Sequence, residues 1–162
     1  MRVWIAFFVA LNASVSSFAQ IAPSKDKPPE IMLLHMGGAD CPPCTAWRAA
    51  ELPKFQAMDV SKKIKFYKVN KSLPSSVPPK FWLHDDLKPL KDELDRASGG
   101  QRGSAQTIIV VDGKVFDYIH GSHSADDLKI IFESLLAGKE SPFPRCVTRR
   151  NGYCSETIQP KS

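Results

Sequence analysis

The run Cys41-Pro42-Pro43-Cys44 stands between a short apolar stretch, Ile31 to Met36, and a helix-favouring stretch with Ala46, Trp47, Ala49, Ala50 and Glu51. An apolar run of that length reads as a buried strand, which Gly37-Gly38 then breaks. Pro43 suits the first turn of a helix, where its missing N–H costs nothing, and Pro53 should end or kink that helix. Two cysteines separated by two residues at a strand-to-helix junction can close a small disulfide ring with little backbone movement, so they can cycle between dithiol and disulfide. A helix N-terminus carries partial positive charge and free N–H groups, which favour a thiolate there. Cys41 is therefore expected to be the exposed, attacking sulfur. Cys44, one turn deeper, is expected to be buried and to resolve a mixed disulfide. The alternatives are an inert disulfide or half of a metal site, while haem attachment would need His where Thr45 stands.

The rest of the chain alternates strand and helix signals. Ile64 to Val69 alternates apolar and polar residues, which predicts a second strand. A Pro-rich link, Leu73 to Pro79, leads into a segment from about Phe81 to Ala97 with Leu83, Leu87, Leu90 and Leu94 at helical spacings. Pro89 must kink that helix or mark its true start, and Gly99-Gly100 ends it. Thr107 to Val111 is strongly β-branched, Asp112-Gly113 is a hairpin turn signal, and Val115 to Ile119 is the returning strand. Ser124 with Asp127 resembles a capping box. It precedes Leu128, Ile131, Phe132, Leu135 and Leu136 on one helix face, with Gly138 as terminator. The order strand, helix, strand, helix, strand, strand, helix predicts an α/β fold: a mixed sheet with helices on both faces.

The chain of 162 residues, 43% of them apolar, suits one domain with a core of its own. Residues 1–19 read as an export signal: Met1-Arg2 is positive, Val3 to Leu11 is apolar, and Ser17-Phe18-Ala19 offers a small-residue cleavage site. Asn12, Ser14, Ser16 and Ser17 interrupt the stretch, which a spanning helix would not tolerate well, so no stable membrane span is expected after cleavage. Residues 20–30 form a Pro- and Lys-rich leader, residues 31–138 the domain, and residues 139–162 a tail. Export makes disulfides persistent. Cys146 and Cys154 flank an Asn151-Gly152 turn signal and are expected to form a structural disulfide closing a small loop, with a second redox pair or zinc ligands as the alternatives. The net charge of +5 comes with lysines scattered over Lys62, Lys63, Lys65, Lys68, Lys71, Lys80, Lys88 and Lys91, a solvated surface with no nucleic-acid module. Asn70-Lys71-Ser72 matches a glycosylation sequon, relevant only in a eukaryote. His120 and His123 flank Gly121-Ser122, a spacing that could bind metal, but before a helix cap they read more simply as exposed turn residues; Trp47, Phe81 and Trp82 read as core or as surface near the cysteines.

The Cys41-Pro42-Pro43-Cys44 motif, the hairpin of Thr107 to Ile119 and the final helix together resemble the thioredoxin superfamily. The resemblance covers about residues 30–138, and only the cysteine motif is specific. It implies Cys41 as nucleophile, Cys44 as resolving residue and protein disulfides or dithiols as substrates. The leading expectation is therefore a thiol-disulfide oxidoreductase acting on exported protein thiols or disulfides, without a cofactor and with a membrane-bound reductase as electron donor. Three positions depart from the family pattern. Asp40 stands where the family has Trp, and His35 where it keeps a buried acid. Ala105-Gln106-Thr107 occupies the place of the cis-proline that faces the cysteines. Because a cis bond before a non-proline residue costs about 2.5–4 kcal/mol, a trans peptide is expected there. Pro42 and Pro43 lack N–H groups and Asp40 adds a negative charge, so the Cys41 pKa should not fall far, and a reductase or isomerase is favoured over a strong oxidase. His35 is either a proton acceptor for Cys44 or a core histidine with one hydrogen bond. Two other classes of function compete: metal binding or delivery through Cys41 and Cys44, and a non-catalytic interaction module of the cell envelope.

Overall fold

A computed structural model of the chain describes residues 27–151 and 153–160. The export signal and most of the leader lie outside the described residues, as does Gly152. The elements are β1 (Ile31–Met36), α1 (Pro42–Ala57), β2 (Lys65–Val69), α2 (Lys91–Ser98), β3 (Gln106–Val111), β4 (Lys114–His120), α3 (Ala125–Leu136), β5 (Arg145–Arg150) and β6 (Tyr153–Ile158). Among the described residues no helix is long and apolar enough to cross a membrane.

Four strands form one mixed sheet in the order β2-β1-β3-β4, with β1 parallel to β2 and the other neighbours antiparallel. Side chains alternate across a strand, and here both faces are covered. Met32, Leu34, Met36, Ile108 and Tyr118 meet Leu87, Leu90, Leu94 and Ala97 on one face. Ile31, Leu33 and Ile109 meet Trp47 and Phe55 of α1 and Leu128, Ile131 and Phe132 of α3 on the other. That double coverage is why β1 is buried at every position, and it explains a continuous apolar run where a one-sided strand would alternate.

Local signals set the element ends. Asp112 (φ 49°) and Gly113 (φ 77°) both take positive φ between β3 and β4, the geometry of a tight hairpin turn. Ser124 caps α3 by accepting from the Asp127 N–H at 3.1 Å. Pro89 closes a 3-10 turn, Asp85–Leu90, and α2 begins only at Lys91. Pro53, in contrast, lies inside α1, which continues to Ala57. One donor is lost there, but the helix keeps the burial of Trp47 and Phe55 on its inner face, which outweighs a single hydrogen bond.

The tail is more than a closed loop. Residues around Cys146 and Cys154 form an antiparallel hairpin, β5–β6, carrying the Cys146–Cys154 disulfide. It packs beside β4 through side chains: Arg145 donates to the Phe116 carbonyl at 3.1 Å, and the Cys146 N–H donates to Asp117 Oδ1 at 2.8 Å. Gly99, the α2 cap, has φ 52° and sits so close to β5 that a Cβ there would lie 1.7 Å from the Arg149 carbonyl oxygen. Gly99→Ala should therefore lift the hairpin from α2. Faster amide exchange in β5 and β6 is the expected readout, and unchanged exchange would contradict this close approach. Removing the tail disulfide in a Cys146→Ser/Cys154→Ser chain should cost about 2–3 kcal/mol, a value from the entropy of closing a loop of this size. The urea midpoint reads that loss, and an unchanged midpoint would contradict it.

Candidate redox site

The C-terminal ends of the parallel strands β1 and β2 open on the same edge of the sheet as the start of β3. The Cys41-Pro42-Pro43-Cys44 turn lies on that edge. Cys41 is the N-cap of α1 with both prolines in the first turn, and its Sγ accepts from the Cys44 N–H at 3.2 Å. The prolines remove two donors, yet the third N–H of the helix is aimed at the first sulfur. The two cysteines are joined as a disulfide with their Cα atoms 5.2 Å apart, a close pair at a helix start whose geometry is compatible with redox chemistry.

Cys41 is not the exposed sulfur expected from the sequence. It is 2% accessible and Cys44 is 0%. The cause is a contact between distant segments: Ala105 packs against both cysteines. The Ser104–Ala105 peptide is cis, not trans as expected. The intrinsic cost of the bond is only part of the balance, because tertiary contacts hold the backbone on either side of it. The Ala105 carbonyl accepts from the Gly121 N–H at 2.8 Å, and the Gln106 side chain holds the loop before it. Thr107 Oγ1 donates to the Gly121 carbonyl at 2.8 Å, fixing the same corner from the next residue.

Two residues that the motif did not suggest shape the site. Gly37 is one: a Cβ there would fall 2.2 Å from Cys44 Sγ. Arg48 is the other. Its Nε donates to the Cys44 carbonyl at 3.1 Å and its Nη2 to the Gly38 carbonyl at 2.9 Å, tying the segment before Cys41 to α1. Asp40 is exposed beside Cys41. Lys71, read from sequence as a surface charge, is only 4% accessible. Its Nζ donates to the Ser75 carbonyl at 2.6 Å, and burial pulls its pKa down to about 8. A single lysine in a scattered series carries no sign of burial, so only the fold distinguishes it.

His35 is fully buried and stacks on Trp47, ring centroids 4.5 Å apart. Its Nε2 lies 3.3 Å from Ser122 Oγ, while Nδ1 has no hydrogen-bond partner among the described residues. Burial, then the charges of Arg48 and Lys68, lower its pKa to about 4. The ring is thus neutral at pH 7 and a weak base, packed as a core histidine with one hydrogen bond. Lys68 is exposed, opposite His35 on β2. His123 is not simply exposed: its Nε2 is 3.1 Å from Asp117 Oδ2, and its carbonyl accepts from Trp47 Nε1 at 2.7 Å. His120 lies 2.9 Å from the Gln101 amide through Nδ1, and burial lowers its pKa. Trp47 belongs to the core, whereas Phe81 and Trp82 are 73% and 65% exposed. Among the described residues no group of three or more His, Cys, Asp or Glu side chains converges as metal ligands would, and all four cysteines are disulfide-bonded.

The depressed His35 pKa has a measurable consequence. The unfolded chain binds a proton near pH 6.5 that the folded chain refuses until about pH 4, so stability is full above the unfolded value and falls as pH drops through that window. Integrated, the loss attributable to His35 approaches about 3 kcal/mol. Urea unfolding between pH 7 and pH 5 should show a slope that His35→Phe reduces, and an equal slope in both chains would refute the assignment. No family model matches this chain, and no curated protein matches it significantly.

Proposed function

We propose that this chain is an exported thioredoxin-like thiol-disulfide oxidoreductase working through Cys41 and Cys44. The observation carrying the proposal is the helix-capping position of Cys41, where a backbone N–H points at its sulfur and a bonded partner sulfur stands one turn deeper. In the reduced form the Cys41 thiolate attacks one sulfur of a substrate disulfide, that S–S bond breaks, and one substrate thiolate leaves. The Cys44 thiolate then attacks Cys41 Sγ, closing the Cys41–Cys44 bond and releasing the second substrate thiolate. The substrate gains two electrons, the protein loses two, and a dithiol donor must reduce it again. Exported protein disulfides are the substrates of this reading, and a membrane-bound reductase is its donor.

The direction follows from the charges around Cys41. Asp40 is adjacent and Pro42 and Pro43 cannot donate, so the thiolate is stabilised chiefly by the Cys44 N–H, which favours a reductase or isomerase over a strong oxidant. Equilibration of the Cys41/Cys44 couple with glutathione, beside an insulin-type disulfide reduction assay, tests both statements. A reducing potential with turnover supports the proposal; a strongly oxidising one removes the reductase assignment. The burial of both sulfurs favours a second reading, a non-catalytic module with a structural pair. An absence of exchange with glutathione in the native state would select it.

A further inference from the structure

Where the chain enters β3 beside the cysteines, the residue before the strand and its first residue point to opposite faces of the sheet. Ala105 faces Cys41 and Cys44 and is 3% accessible. Gln106, the next residue, is 0% accessible, and its side chain is hydrogen-bonded to Tyr118 on the other face of the sheet. Its carboxamide is fully engaged. Nε2 donates to the Gln101 carbonyl and to the Gly103 carbonyl, each at 3.0 Å, while Oε1 accepts from the Tyr118 hydroxyl at 2.8 Å. Tyr118 is itself completely buried on β4. One side chain thus staples the bend of residues 101–103 to the sheet, directly before the peptide that places Ala105 over the disulfide. Other ties hold the same stretch: the Gln101 N–H donates to the Ser98 carbonyl at 2.8 Å, the Gly103 N–H to the Leu73 carbonyl at 2.9 Å and the Gly121 N–H to the Ala105 carbonyl at 2.8 Å, and the Gln101 side chain reaches the Arg102 carbonyl and His120. Gln106 adds a buried side chain that binds two carbonyls of the bend at once.

We propose that Gln106 is a positioning residue that holds Ala105 as a cover over the Cys41–Cys44 pair and so limits which thiols reach it. This rests on the exchange reading and deepens it: the pair is reached only when the 101–105 loop yields. An attacking thiolate must approach a sulfur along the S–S bond, and with Cys41 2% accessible that approach is closed by the cover. A bulky incoming protein can displace the loop by forming contacts with it, whereas a small thiol makes few contacts and must wait for spontaneous opening. Gln106 therefore acts on reactivity through the backbone, not by contact with the reacting atoms.

The test is reduction of the native protein by dithiothreitol, quenched by alkylation, with peptides holding Cys41 and Cys44 read by mass spectrometry. The reductant's first thiolate attacks a sulfur of the pair, its second closes the reductant's own ring, and both cysteines leave as thiols. Gln106→Leu removes all three hydrogen bonds. Gln106→Glu keeps size and the acceptor for Tyr118 but cannot donate to two carbonyls when ionised. Tyr118→Phe is the milder change and keeps the test open should either Gln106 variant fail to fold. The rate should rise roughly tenfold in the Gln106 variants and roughly threefold in Tyr118→Phe, as expected when an opening equilibrium loses the hydrogen bonds that oppose it. Melting temperature is measured alongside, because a merely structural role would lower it and leave the rate at its wild-type value. Folded variants reduced no faster than wild type, with the wild-type pair reacting, would overturn the cover and leave the exchange reading intact. A wild-type pair inert to the reductant with reactive variants would support the cover and count against native-state exchange. Inertness in every chain would overturn both.

Discussion

Gly37→Ala is expected to destabilise the protein by about 1–3 kcal/mol, the usual range for forcing a methyl group into a packed interior. Gly37 is buried and has no positive φ, so its backbone would accept alanine and the penalty is purely steric. The new Cβ would meet Cys44 Sγ at 2.2 Å and Cys44 Cβ at 3.3 Å. Neither neighbour can swing away: Cys44 belongs to a helix, and Arg48 holds its carbonyl to the same loop. The Cys41–Cys44 bond itself must shift or open, so the variant should lose disulfide formation at this site together with stability. A thermal melt and a thiol count read the two effects separately. A stable, fully oxidised Gly37→Ala chain would mean that β1 and α1 are further apart than described.

On the proposed exchange mechanism, the second large effect is a division of labour between the cysteines. Cys41→Ser should abolish insulin-type disulfide reduction, because no other described sulfur sits at a helix N-terminus with a donor aimed at it. Cys44→Ser should abolish turnover too, but by trapping a covalent complex: attack by Cys41 proceeds and resolution does not. Non-reducing gels therefore distinguish the two, with a substrate-linked band for Cys44→Ser only. A trapped band with Cys41→Ser instead would reverse the roles, and no band with either would argue for the non-catalytic module.

Much of the scaffold can be read from local signals. Asp112-Gly113 marks a turn because both residues must take positive φ, and few residue pairs do so cheaply. Ser124 marks a helix start because its hydroxyl satisfies an N–H that the helix leaves open. Pro89 marks where α2 can begin, and the pairing of Cys41 with Cys44 follows from their spacing on a first helical turn. The tail carries weaker local signals. Asn151 does take φ 50°, but strands rich in Arg, Thr and Glu carry no apolar alternation, since much of β6 faces outward and β5 rests on β4 through arginine and a buried aspartate.

What a residue's own neighbours control, the order of strand, turn and helix as far as α3 and the covalent reach of two cysteines three apart, could be known from sequence alone. Whether the sulfurs lie open or covered was decided by the tertiary structure, which brings Ala105 and Gly37 against Cys44 from the start of β3 and the end of β1. The same holds for the burial of Lys71 and the lowered His35 pKa. Propensities and caps act over a few residues along the chain, whereas exclusion of water is a property of surfaces that meet only once the sheet has closed, so no short window of sequence contains it.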